Sequence, residues 1–185
     1  MKKTDTHIPG LYVIEPRIFE DERGYFFEVH SFEKLTALGL EAAVLQINQS
    51  SSKKGVLRGL HFQAPPHDQT KLVRCAKGRL FDVAVDIRKG SPTYGKWFGI
   101  ELSDENKKML YVPSGFAHGF CTLTEGAELQ YMVGKSPYAK EAEGGIRFDD
   151  PAIGIEWPLE GQPLVNDRDQ ALPLLCDLES PFSFN

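Results

Sequence analysis

Arg79-Leu80-Phe81-Asp82-Val83-Ala84-Val85-Asp86-Ile87 sets Phe81, Val83, Val85 and Ile87 against Asp82, Ala84 and Asp86 on a two-residue period. Successive side chains of an extended strand point to opposite faces, so this period predicts a β-strand with one apolar face and one small or acidic face. The apolar face is expected to meet the core and the acidic face to line something polar. Comparable runs recur between turn residues at 11–14, 44–49, 71–75, 97–102, 109–112 and 119–123. Helical signals are few: Ser31 can cap a helix over 32–38 that Gly39 ends, and Ser103 can cap a turn through Asp104-Glu105-Asn106-Lys107. Many short strands with few helices predict an all-β protein, a double-sheet jelly roll (β-sandwich or barrel) with a few short peripheral helices. Such a fold offers an interior cavity.

With 185 residues, 41% of them hydrophobic and 25% charged, the chain has the size and make-up of one soluble globular domain spanning 1–185. No apolar run approaches the roughly 20 residues of a membrane-spanning helix, so no membrane partner is expected. The 12 prolines and 17 glycines are scattered rather than gathered into a linker. A formal net charge of −5 without a basic run lacks the electrostatic footprint of a nucleic-acid binder. Cys75, Cys121 and Cys176 are odd in number, widely spaced and without a CxxC pair, which argues against a disulfide framework and a zinc site. No apolar signal segment follows Met1-Lys2-Lys3, and a cytoplasmic location is the expectation.

Arg58-Gly59-Leu60-His61 and Pro113-Ser114-Gly115-Phe116-Ala117-His118 place imidazoles at strand ends. An imidazole, with an ordinary pKa of about 6.5, takes up and gives back protons near neutral pH. A chain reversal at Pro65-Pro66 would bring Arg58, His61, Gln63 and Lys71 to the mouth or interior of one barrel. The Pro-x-Gly-x-x-His pattern at 113–118 matches the second motif of cupins, with His61 in the place of the first. Metal-dependent cupins open that first motif with His-x-His to help fill a transition-metal shell. Here the stretch is His61-Phe62-Gln63, so no metal site is expected. A metal-free pocket needs another electrophile, and the Lys71 ammonium set against a developing enolate oxygen would serve. Tyr131 fits a proton donor, and equally a core or rim residue. Asp169 fits a carboxylate that holds the His61 tautomer, and equally, beside Arg168, a solvated charge.

Together these residues resemble the dTDP-4-dehydrorhamnose 3,5-epimerase family of cupin-type sugar-nucleotide epimerases. The resemblance runs through seven ordered blocks, at 19–28, 55–63, 71–74, 81–88, 90–95, 112–120 and 149–151. It implies a cupin-like jelly roll that uses no cofactor. The implied reaction inverts C3 and C5 of a dTDP-4-keto-6-deoxyhexose, dTDP-4-dehydro-6-deoxy-D-glucose, to give dTDP-4-dehydro-L-rhamnose for dTDP-L-rhamnose synthesis. The resemblance also implies that His61 is the general base, that Tyr131 is the acid on the opposite face of the sugar, and that Asp169 supports His61. Lys71 and His118 are implied beside the reacting ketone and sugar. For substrate binding it implies Arg23, Phe26, Glu28, Gln46, Ile47, Asn48, Arg58, Glu143 and Arg168, with Tyr138 stacked on thymine. Family members are homodimers whose N-terminal strand crosses to the partner sheet, with 23–28 completing the neighbour's pocket. This chain departs from the family pattern at Ile47, Asn166 and Arg168, where Asp, Ser and Lys are common, and in a longer spacer at 132–137. An epimerase acting at C3 alone, a non-catalytic sugar- or nucleotide-binding cupin and a metal-dependent cupin are the alternatives. The joint presence of His61, Tyr131 and Asp169 favours catalysis, because binding alone gives no reason for a base and a donor on opposite faces.

Overall fold

The computed structural model describes residues 1–184. Its strands are β1 (Lys2–Asp5), β2 (Tyr12–Glu15), β3 (Ile18–Asp21), β4 (Gly24–Phe27), β5 (Gln46–Ser52), β6 (Leu57–Gln63), β7 (Thr70–Lys77), β8 (Arg79–Asp86), β9 (Trp97–Ser103), β10 (Met109–Val112), β11 (Phe116–Thr122), β12 (Ala127–Gly134) and β13 (Glu143–Gly145). Two short helices, α1 (Phe32–Ala37) and α2 (Asp167–Gln170), lie outside them. A six-stranded sheet ordered β1-β2-β10-β7-β12-β5 faces a five-stranded sheet ordered β13-β6-β11-β8-β9, and β3 pairs with β4 as a separate hairpin. This is the all-β, cupin-like double-sheet jelly roll. Among the described residues no helix is long and apolar enough to cross a membrane.

β8, the strand whose alternation predicted the fold, is buried on both faces. Leu80 and Ala84 join Val13, Val73, Leu110 and Leu129 in the core between the sheets. Val83, Val85 and Ile87 face the other way, beneath Phe62, Ile146, Ile153, Leu175 and Phe182. The apolar face thus meets a second, outer core that the C-terminal segment lays over the five-stranded sheet. The small and acidic face turns into the barrel, where Asp82 is 0% exposed. A third cluster covers the back of the six-stranded sheet, with Leu35 and Leu40 on Ile14, Leu72, Met109 and Met132. Leu35 anchors α1 there; a six-residue helix is too short to persist without such packing. Ser31 caps it as expected, its hydroxyl accepting from the Lys34 N–H at 3.4 Å, and the helix ends at Ala37, before Gly39.

β6 and β11 pair out of step. His61 stands opposite His118 and Arg58 opposite Phe120, so Gly59 and Leu60 together face Gly119 alone. Such a bulge breaks the two-residue alternation and re-aims the side chains that follow. Arg58 and His61, three residues apart, therefore share the cavity side, while Leu60 and Phe62 join the outer core. Glycine is required at the crossing: Gly59 has φ +123°, and a Cβ there would lie 2.6 Å from the Gly119 Cα.

Candidate active site

A cavity of about 210 Å³ opens inside the barrel, lined by Asn48, Ser50, Arg58, His61, Lys71, His118 and Tyr131 among others. His61 comes from β6 of the five-stranded sheet, whereas Lys71 and Tyr131 come from β7 and β12 of the six-stranded sheet. The imidazole and the phenol thus occupy opposing walls. The Lys71 Nζ lies 6.0 Å from the centre of the Tyr131 ring.

His61 Nε2 is 2.8 Å from Asp169 Oδ1. The second oxygen of Asp169 accepts the Gly59 N–H at 2.9 Å, so one carboxylate fixes both the imidazole and the bulge that aims it. Asp169 is 1% exposed and sits on α2, whose N-cap Asn166 accepts the Asp169 N–H at 2.7 Å. Burial pushes the Asp169 carboxyl up, but the hydrogen bonds from His61 and Gly59 and the charges of His61 and Arg168 outweigh it and hold the group below its ordinary range. With Nε2–H donated to a carboxylate, a neutral His61 carries its lone pair on Nδ1. Its side chain remains 31% exposed, open to the cavity.

His118, 7% exposed, makes a second imidazole–carboxylate contact, its Nε2 lying 2.9 Å from Asp82 Oδ1. Burial pulls the Lys71 ammonium down to about 8, opposed by the negative charges of Asp82 and Glu143. Arg58 is steadied by hydrogen bonds to Ser52 Oγ at 3.1 and 3.2 Å, and Gln46 donates to Asn48 Oδ1 at 2.7 Å on the inner face of β5. At the rim, Arg168 pairs with Glu143 at 2.9 Å. Partial desolvation and the nearby Glu143 carboxylate raise the pKa of the Tyr138 hydroxyl. Tyr138, Glu143 and Arg168 therefore form one cluster.

Four expected binding residues lie elsewhere in the chain's own fold. Arg23 and Phe26 belong to the β3–β4 hairpin, where Arg23 pairs with Asp21 and Phe26 is 65% exposed. Glu28 follows that hairpin and pairs with Lys34 of α1. The Ile47 side chain is 60% exposed, because strand alternation turns it away from the face that Gln46 and Asn48 present. β1, the strand expected to cross to a partner, pairs with β2 of its own chain.

Asp82 escaped selection as a site residue, although the acidic face of its strand was the available signal. The role of Asn166 as a helix cap could have been found from its place two residues before Arg168 and three before Asp169. At the first cupin motif, Phe62 is committed to the outer core and the Gln63 amide to backbone groups, so neither presents a ligand to the cavity. Among the described residues no cluster of three His, Cys, Asp or Glu side chains has metal-binding geometry.

This arrangement can move protons from two sides: an oriented imidazole stands on one wall, a phenol on the other, and a half-buried ammonium between acidic neighbours. The chain matches the family model described as dTDP-4-dehydrorhamnose 3,5-epimerase over residues 5–177. It is 53% identical over 173 residues to the Salmonella typhimurium protein of that name, covering 92% of this chain and 93% of the relative. It superposes with a TM-score of 0.94 on a 3,5-epimerase from Legionella pneumophila solved with dTDP-4-keto-L-rhamnose, at 42% identity over 100% of this chain and 98% of that one. A 3'-monoepimerase from Streptomyces bikiniensis bound to dTDP-quinovose is also similar, with a TM-score of 0.86 and 37% identity over 92% of this chain and 86% of that one.

Proposed function

The chain belongs to the dTDP-4-dehydrorhamnose 3,5-epimerase family, and from that premise we propose that it inverts C3 and C5 of dTDP-4-dehydro-6-deoxy-D-glucose to give dTDP-4-dehydro-L-rhamnose. The observation that carries this reading is the opposition of His61, held by Asp169, and Tyr131 across a cavity that also contains Lys71. The C4 ketone acidifies the hydrogens on both neighbouring carbons. His61 Nδ1 takes the proton from C3 or C5, and the electron pair moves into the ring to leave negative charge on the C4 oxygen. The Lys71 ammonium stabilises that oxygen in a low-dielectric interior, where a fixed charge acts more strongly than in water. Tyr131 then delivers a proton to the same carbon from the opposite face, and configuration inverts. Every step is a proton transfer, and the reaction is redox-neutral.

His118, its Nε2 held by Asp82, contacts the sugar near the reacting carbons, while Arg58 contacts the pyrophosphate, for which a guanidinium fork is suited. Gln46 and Asn48 present amides to the nucleoside, and Tyr138 stacks on thymine beside Glu143 and Arg168. The working enzyme is a cytoplasmic homodimer in which Arg23, Phe26 and Glu28 of each protomer complete the pocket of its partner. The exposed hairpin supports this, since its charged and aromatic groups lie outside the cavity that holds His61, Lys71 and Tyr131.

Incubation of the purified protein with dTDP-4-dehydro-6-deoxy-D-glucose in deuterated water tests the reaction. Deuterium is expected at both C3 and C5 by NMR. Incorporation at C3 alone would mean a 3-epimerase like the similar Streptomyces bikiniensis protein, and incorporation at neither carbon would overturn the epimerase reading.

A further inference from the structure

Gln63 occupies the position at which a metal-binding cupin would place its second histidine, and it is only 6% exposed. Its carboxamide is fully committed. The oxygen accepts the Ala139 N–H at 2.8 Å, and the NH₂ donates to the carbonyls of Pro137 at 3.3 Å and His67 at 2.7 Å. Pro137 and Ala139 are the residues on either side of Tyr138. One rigid side chain on β6 therefore grips the backbone just before and just after that ring, and ties it to the 64–69 loop.

Tyr138 needs such a grip because little else holds it: the residue is 53% exposed. Neighbouring ties act in the same sense. Gln69 donates to the Ser136 carbonyl at 3.2 Å, and Lys135, at φ +70°, pairs with the buried Asp68, which also accepts from the Ser114 hydroxyl. An exposed ring that is already fixed loses less conformational freedom when a flat base stacks on it.

We propose that Gln63 is a positioning residue for nucleotide binding, acting through the backbone on either side of Tyr138 to hold the ring ready for the base. This rests on the assignment of Tyr138 as the stacking residue. Substitution Gln63→Met keeps the length of the side chain and removes all three hydrogen bonds. Calorimetric titration with dTDP alone should show affinity weakened about tenfold, the effect of losing roughly one net buried hydrogen bond. Tyr138→Ala should weaken binding about tenfold or more through lost base stacking. Because Gln63 acts through Tyr138, Gln63→Met placed in the Tyr138→Ala background should cost less than about twofold further. With the sugar nucleotide, Gln63→Met should raise KM by much more than it lowers kcat, since His61, Lys71 and Tyr131 are held by strands rather than by this loop.

Full additivity of the two substitutions, or unchanged dTDP affinity in Gln63→Met while Tyr138→Ala binds weakly, would overturn the positioning role and leave the stacking assignment standing. Unchanged affinity in Tyr138→Ala would overturn both. Gln63→Glu provides the second variant if Gln63→Met does not fold: it keeps the acceptor for Ala139 and loses the two donors. The same coupling to Tyr138 is expected of it, and dTDP affinity equal to that of the native chain would refute the proposal.

Discussion

Lys71 carries its ammonium where water is scarce, and the consequence is a charge that titrates within the working range of an enzyme. Burial lowers its pKa from 10.5 to about 8, although Asp82 and Glu143 pull the other way. If the cation stabilises the enolate, kcat should fall as pH rises through about 8. Lys71→Met should lose about 100-fold in kcat, comparable with removal of an oxyanion donor, and its profile should lack this alkaline limb. Stability should move in the opposite direction. Below the folded pKa, both folded and unfolded chains hold the proton, and the fold bears a poorly solvated charge. Between about 8 and 10.5 the folded chain has released its proton while the unfolded chain has not, so stability rises with pH across that window. Thermal unfolding compared at intervals across it should show this contribution in the native chain and not in Lys71→Met. A kcat profile that stays flat through the window would remove the ammonium from the mechanism.

At the scale of elements, the bulge in β6 determines whether base, carboxylate and arginine meet. In Gly59→Ala the new methyl would lie 2.6 Å from the Gly119 Cα and 2.9 Å from the His118 carbonyl oxygen, on a residue at φ +123°. Strain of this kind costs about 1–3 kcal/mol, so the melting temperature should drop. The Gly59 N–H would also be drawn away from Asp169, and kcat should fall further than the loss of folded protein accounts for. Equal kcat per folded molecule would show that the bulge serves packing alone. This same bulge limits what could be read in the sequence. The alternation of 79–87 marks the inner and outer faces of β8 because regular strands keep a two-residue period, and the continuous apolar run at 109–112 coincides with β10, which is buried along its whole length. Arg58 and His61 do not keep it, so only the fold shows how they come to share a face. Asp169 was equally hidden by local pattern, since its partner lies 108 residues away and its helix of four residues is too short to leave a periodic signal. The β3–β4 hairpin lacks a buried face, so no alternation marks it. Resemblance to a family supplied Tyr131 and Asp169 where physical pattern left alternatives open.

At the scale of the whole molecule, the proposed binding groups are divided between the barrel cavity and an exposed hairpin. His61, Lys71, His118 and Tyr131 line the barrel, whereas Arg23 and Phe26 lie on a hairpin that also exposes Phe19 at 47% and Tyr25 at 57%. Aromatic side chains left this open contribute little to the stability of their own chain, yet they would bury considerable apolar area against a second copy. If each hairpin serves its partner's cavity, catalytic and hairpin defects should complement one another. In a dimer of one His61→Ala chain and one Arg23→Ala chain, the two defects fall together in one pocket and leave the other intact. Two-fold symmetry makes half of the randomly assorted dimers mixed, each with one sound pocket, so equal amounts of the two inactive variants should recover about one quarter of native activity after subunit exchange. Activity should grow with the rate of exchange and vanish if the chains are cross-linked as homodimers before mixing. A hairpin acting on its own chain predicts no recovery, because every pocket would then carry one of the two lesions.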